Sequence, residues 1–239
     1  MKRYLLLYYL CSASFAWAQL TGAELEMGYR TLHDGRAISE NSGRLFDLRY
    51  HGAKGTQYTA DSWRPGVIFL RSGQVREHDL ANYDEVEESP VIIGDKGEPI
   101  YIAPLLVDHF ELYSQDSVRV FYQFPHPKKK KSTDIFCELL IHGKVNVMIY
   151  RRKYFVPADM SNITYNVQQY SEFKSLKSQY FLWEEGQDYI IPIKRGNRSL
   201  INQLGEHREL LKSYMKENVL FARYEEDLVQ IMRYYNGLD

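Results

Sequence analysis

The sequence predicts a mainly β (α+β) protein, an antiparallel meander forming a sandwich or barrel-like sheet, followed by a short C-terminal three-helix segment. Three observations carry this expectation. From Trp63 to about residue 194, short apolar runs alternate with turn signals at the spacing of an all-antiparallel sheet. Tyrosine supplies 20 of the 239 residues, and it favours half-buried pleated surfaces. After Arg195 the apolar period changes from that of strands to that of helices.

The strands are expected in the following order. Residues 67–70 form a short apolar run, Ser72-Gly73 reads as a hairpin turn, and 74–81 return. Residues 86–93 follow, then Gly94-Asp95-Lys96-Gly97, a turn whose glycines tolerate positive φ. Residues 99–103, 107–113 and 118–124 come next. Beyond a lysine loop, 134–141 and 145–155 flank His142-Gly143-Lys144, another hairpin signal. Residues 180–183 and 189–193 bracket Glu184-Glu185-Gly186-Gln187. The segment 157–179 is polar, and 165–177 fits either a strand or an irregular loop.

Three helices then follow. Leu200, Ile201 and Leu204 share a helical face, with Gly205 as the stop; Leu210, Leu211, Tyr214 and Met215 make a second stripe ending near Asn218. Leu228, Ile231, Met232 and Tyr235 make a third, with Glu225, Glu226 and Asp227 in its first turn and Arg233 in its last, as the helix dipole favours. Helices this short are marginal alone in water, so they are expected to pack on each other or on the sheet.

The first 18 residues read as a signal peptide. Lys2 and Arg3 precede an apolar stretch from Tyr4 to Phe15, and Ala16-Trp17-Ala18 offers small residues for cleavage before Gln19. The stretch is too short to span a bilayer. Cys11 makes a poor lipid-anchor site, since Leu10 precedes it and the apolar run continues past it. The expected organisation is therefore a signal peptide at 1–18 and a weakly structured segment at 19–62 with a strand near 44–50. An antiparallel β domain at 63–194 and a helical segment at 195–239 packed on it complete the chain. Export to the periplasm or cell envelope is the expected location, with no integral membrane segment after cleavage.

Cleavage would take Lys2 and Arg3 from the 30 basic residues, leaving 28 against 31 acidic ones, a formal charge of −3. Such a balance offers no electrostatic reason to expect nucleic-acid binding. Only Cys137 would remain, so the fold is not a disulfide scaffold.

Signatures of common chemistry are missing. The chain has no Gly-x-Ser-x-Gly elbow, no phosphate-binding Gly-rich loop, no His-Glu-x-x-His and no Cys-x-x-Cys. Its seven histidines, at 33, 51, 78, 109, 126, 142 and 207, include no pair at helical metal spacing. No cofactor, metal site or catalytic residue is expected. Asp79, Asp84, Glu85, Glu87 and Glu88 supply hard oxygen ligands, but a solvated strand edge or turn explains them better. Lys128, Lys129, Lys130 and Lys131 sit in an expected exposed loop, where they would contact an anionic surface or remain a solvated hairpin. Cys137, inside an apolar strand, reads as a small buried residue. Trp63 and Trp183 would suit a sugar-stacking platform, though cross-strand packing is the commoner use. Asn162-Ile163-Thr164 and Asn197-Arg198-Ser199 match the glycosylation acceptor pattern, which matters only after eukaryotic secretion.

Trp63-Arg64-Pro65-Gly66-Val67-Ile68-Phe69-Leu70 with Ser72-Gly73, then Ala81-Asn82-Tyr83-Asp84, form one distinctive stretch. Glu225-Glu226-Asp227-Leu228, ending in Tyr234-Tyr235-Asn236, form another. In these residues the chain from 63 to 239 resembles a family of exported, β-rich envelope proteins of the Bacteroidota that have no assigned function. The resemblance implies an envelope location and strands followed by helices, and it brings no catalytic residues.

The expected function is an exported envelope protein, a non-enzymatic binding or assembly protein whose partner is another envelope protein. One alternative is a barrel-like carrier of a small apolar or glycan ligand. Another is a hydrolase whose residues converge only in the fold, with His109 or His142 as base. An outer-membrane barrel is not expected, because the strands are short and the chain ends in polar helices.

Overall fold

The computed structural model describes Tyr50 and residues 52–127, 134–158, 170–194 and 196–238. The signal peptide, the strand expected near 44–50 apart from Tyr50, Lys128 to Lys131 and the acceptor at Asn162 lie outside the described residues.

Ten antiparallel strands form one sheet. They are β1 (Arg64–Leu70), β2 (Val75–Asp84), β3 (Ser89–Ile93), β4 (Pro99–Tyr101), β5 (Val107–Tyr113), β6 (Val118–Pro125), β7 (Asp134–Ile141) and β8 (Asn146–Tyr150), followed, after β9 (Lys153–Val156) and β10 (Glu172–Ser175), by β11 (Gln179–Trp183) and β12 (Ile191–Pro192). β9 and β10 pair separately as a second, two-stranded sheet. The large sheet runs β12-β11-β8-β7-β6-β5-β1-β2-β3-β4, so its ends do not meet and it is not closed into a barrel. It also departs from a simple meander. After β4 the chain makes a 3-10 turn at Pro104–Leu106 and returns beside β1, where Phe69 pairs with His109 and Leu70 with Val107.

Several element boundaries have local causes. β3 begins at Ser89 rather than at 86, because the Asp84 carboxylate accepts the backbone N–H groups of Val86 and Glu87 at 2.8 and 2.9 Å and holds residues 85–88 in a turn. The run expected as one strand over 145–155 breaks into β8 and β9 at Arg151 and Arg152, whose side chains turn to Glu138, Glu225 and Glu88. In the β3–β4 turn, Gly97 takes φ 80° and donates its N–H to the Gly94 carbonyl.

Strand β8 is buried along its whole length and β7 over Ile135–Cys137 and at Ile141, because the sheet there is packed on both faces. On one face, Val147 and Leu182 meet the helices α1 (Asn197–Leu204), α2 (Arg208–Glu217) and α3 (Glu225–Asn236), which contribute Leu200, Ile201, Leu211, Leu228, Ile231 and Met232. On the other, Phe124, Ile135, Cys137, Met148 and Phe181 form a separate core. A third core, from β1 to β7, gathers Ile68, Tyr83, Phe110, Leu112, Phe121 and Phe136. The helices are anchored to the sheet through Asn236, which accepts from the Val145 N–H and donates to the Val145 carbonyl, each at 3.0 Å. A Cβ at Gly143 would strike this amide.

Gly66 sits where β1 is squeezed between β2 and β5. An added Cβ there would lie 2.8 Å from Ala81 Cβ and 2.9 Å from the Glu111 carbonyl oxygen, and backbone cannot yield as a flexible side chain does. Gly66→Ala is expected to lower stability by about 1–3 kcal/mol. A chemical-denaturation midpoint equal to wild type would contradict this packing.

Candidate functional site

The residues singled out by sequence are dispersed, and most are used structurally. Of the solvated strand edge or turn expected for the acidic group, Glu85 to Glu88 do form the β2–β3 turn, but the group is not a solvated edge. β2 lies between β1 and β3, Asp84 and Glu85 are buried, and only Asp79 is freely exposed. The second Asp84 oxygen accepts from the Tyr101 hydroxyl at 3.0 Å, and Glu85 pairs with Lys153 at 3.4 Å. Among the described residues no cluster of three or more His, Cys, Asp or Glu is placed to hold a metal.

Burial raises the Asp84 carboxyl to about 6 from an ordinary 3.8, against the opposing pull of its two backbone donors and Tyr101. The native state therefore keeps this proton where the unfolded chain has lost it. Stability from Asp84 is fully present below about pH 4 and is lost as pH rises through about 6, a change of about 3 kcal/mol. Asp84→Asn preserves the acceptor and removes the titration. The wild-type-minus-variant difference in unfolding free energy is expected to fall across that window, and a constant difference would refute the assignment.

Cys137 is fully buried, as its apolar strand suggested. Burial and the Glu88 charge push its thiol up, the opposite of what a nucleophile needs. His142 is exposed at the β7–β8 hairpin, and five residues along a strand span about 16 Å. His109 stacks between Phe69, at 4.1 Å, and Tyr122, at 5.3 Å, with Nδ1 2.8 Å from the Asp108 carboxylate. No nucleophilic side chain among the described residues hydrogen-bonds its other nitrogen. Trp63 packs on Tyr58 and Trp183 on Tyr122 and Phe124, so the two do not form one platform. In the ladder through Phe69, His109 and Tyr122 the ring faces are spent on one another, leaving little for a sugar.

The open surface lies instead on the helices. α1 ends at Gly205, whose φ of 75° and N–H to the Ile201 carbonyl close the helix. α2 ends in a six-to-one hydrogen bond from the Leu220 N–H to the Met215 carbonyl, which requires a left-handed residue between them. That residue is Val219, with φ 54°, where a β-branched side chain is strained. Asn197 fixes the following loop to α1, donating to the Leu220 carbonyl and accepting from the Ala222 N–H, both at 2.9 Å. The amide of this acceptor-pattern residue is thereby engaged within the fold.

Between α1, α2 and this loop runs an open groove of about 770 Å3. Its rim carries Arg198, Arg208, Lys212 and Lys216, and its floor is Ile201, Met215 and Leu220. Glu209 also lines it, but Lys212 Nζ holds that carboxylate at 2.5 Å. Neither Arg198 nor Lys216 has an ion-pair partner among the described residues. A smaller open groove of about 480 Å3 beside β11 and β12 is lined by His126, Lys177 and Gln179. The cationic groove escaped the sequence reading because its basic residues are spread over two helices. The signal within reach was Arg208, Lys212 and Lys216, spaced to share one side of α2.

Among the described residues no helix is long and apolar enough to cross a membrane. Compared with protein-family models, curated proteins and solved structures, the chain has no match in any of the three.

Proposed function

We propose that this chain is an exported envelope protein that works by binding, and that it takes its partner in the cationic groove between α1 and α2. The observation that carries the reading is the groove itself, with a fixed loop on one side and four basic side chains on its rim. The signal-like N-terminus and the family resemblance support the envelope location.

Photo-crosslinking in the native host tests the reading. A photoreactive residue at Asn202, exposed in the groove, is expected to give a defined adduct. The same residue at Asp116, exposed in the β5–β6 turn, is expected to give none. Equal adducts from both positions, or an adduct only from Asp116, would refute the groove as the binding surface.

A further inference from the structure

We propose that the groove and the apolar rim beside it dock on an anionic lipid bilayer, with lipid phosphates among the basic side chains and the rim inserted at the interface; this rests on the groove reading above. The distribution of apolar surface selects a bilayer over an acidic polypeptide. Ile201, Met215 and Leu220 on the floor are only 5%, 3% and 5% exposed, so a side chain reaching into the groove would gain little apolar contact. The apolar groups that water does meet stand on the rim. Val219 is 69% exposed, Tyr224 51% and Phe221 42%. The headgroup boundary of a membrane, broad and deformable, can cover protruding apolar groups of this kind.

The charge around this rim is mixed but net basic: Glu209, paired with Lys212, and Asp227, whose carboxylate accepts the Phe221 N–H at 2.8 Å, stand against five basic side chains. Lys212, Lys216, Arg198 and Arg208 line the groove, and the Arg223 guanidinium lies over the Phe221 and Tyr224 rings at 5.3 and 4.6 Å. Each such cation near an anionic leaflet adds attraction that salt weakens. Aromatic rings carrying a cation suit the interfacial layer. The strained backbone at Val219 is accounted for as well. Glycine would relieve it, whereas valine at that position holds an apolar side chain out into solvent.

Sedimentation with vesicles tests the proposal, using the protein isolated from its host. One set of vesicles is phosphatidylcholine alone, and the other contains about one-third phosphatidylglycerol. Binding to the anionic set, weakened by salt, is expected. Lys212→Ala with Lys216→Ala is expected to weaken it about 20-fold, and Val219→Gly about 10-fold. Val219→Gly is also expected to leave the urea midpoint at or above wild type, which separates lost docking from lost folding. Equal binding to both vesicle sets, or unchanged binding by Val219→Gly, would overturn the bilayer. Binding of a glutamate-rich peptide through Lys212 and Lys216 with no vesicle binding would replace the bilayer by an acidic polypeptide and leave the groove reading standing. Indifference of both ligands to Lys212 and Lys216 would remove both.

Discussion

Replacing Glu138 with alanine is expected to lower the unfolding free energy by about 3–5 kcal/mol. Glu138 sits in β7 with its side chain only 12% exposed, and it is the hub of a polar seam between the apolar cores. Arg119 binds it with two nitrogens, at 2.7 and 2.8 Å, and also reaches the carbonyl and hydroxyl of Thr59 at 3.3 and 3.0 Å. Arg151, just after β8, takes the same carboxylate and extends the seam to Glu225 at 2.6 Å, and Tyr180 donates to Glu225 at 2.9 Å. The seam thus joins the segment before β1 to the first turn of α3. Alanine would leave two guanidinium groups partly buried without their shared partner, which is costlier than the net worth of the pair. Leucine at 119, 138 and 151 together is expected to recover part of the loss, because it removes the unpaired charges as well. Urea unfolding of the single and triple variants decides the matter, and a single-variant loss below about 1 kcal/mol would show that the seam is solvated.

Phe110→Ala is expected to have a comparable effect, about 3–5 kcal/mol. Its ring is almost fully buried and stacks on Phe121 at 4.5 Å with planes 5° apart, while Phe136 meets it edge-on at 5.3 Å and Tyr83 lies 5.6 Å away. These neighbours come from β2, β6 and β7, so no single segment can shift to fill the void. Phe110→Leu, which keeps most of the volume, is expected to lose clearly less. Equal losses from the two variants would mean that the site responds to the aromatic contact rather than to the cavity.

Local signals in the sequence proved dependable where one segment determines its own structure. β5 and β7 occupy the stretches 107–113 and 134–141 expected from their apolar runs, and α1 stops at Gly205 as its stripe and cap implied. What sequence could not supply was partnership at a distance. Nothing in residues 102–107 says that β5 will return to β1 across three strands, because hairpin logic pairs consecutive neighbours. Asp84 reads as a surface acid until Tyr101 and the turn at 86–87 enclose it. Arg151 and Arg152 continue a strand pattern until their partners on β7, α3 and the β2–β3 turn pull the backbone out of it. The groove was hidden for the same reason, since the angle between two short helices and the loop stitched by Asn197 are tertiary facts.

The most direct measurement of the account is lysine labelling in the intact envelope compared with the purified protein, read residue by residue by mass spectrometry. Lys212 and Lys216 line the groove, while Lys96 is exposed in the β3–β4 turn. If the groove is the working surface, Lys212 and Lys216 lose reactivity several-fold in the envelope and Lys96 does not. Unchanged reactivity at Lys212 and Lys216, with protection elsewhere or nowhere, would contradict it.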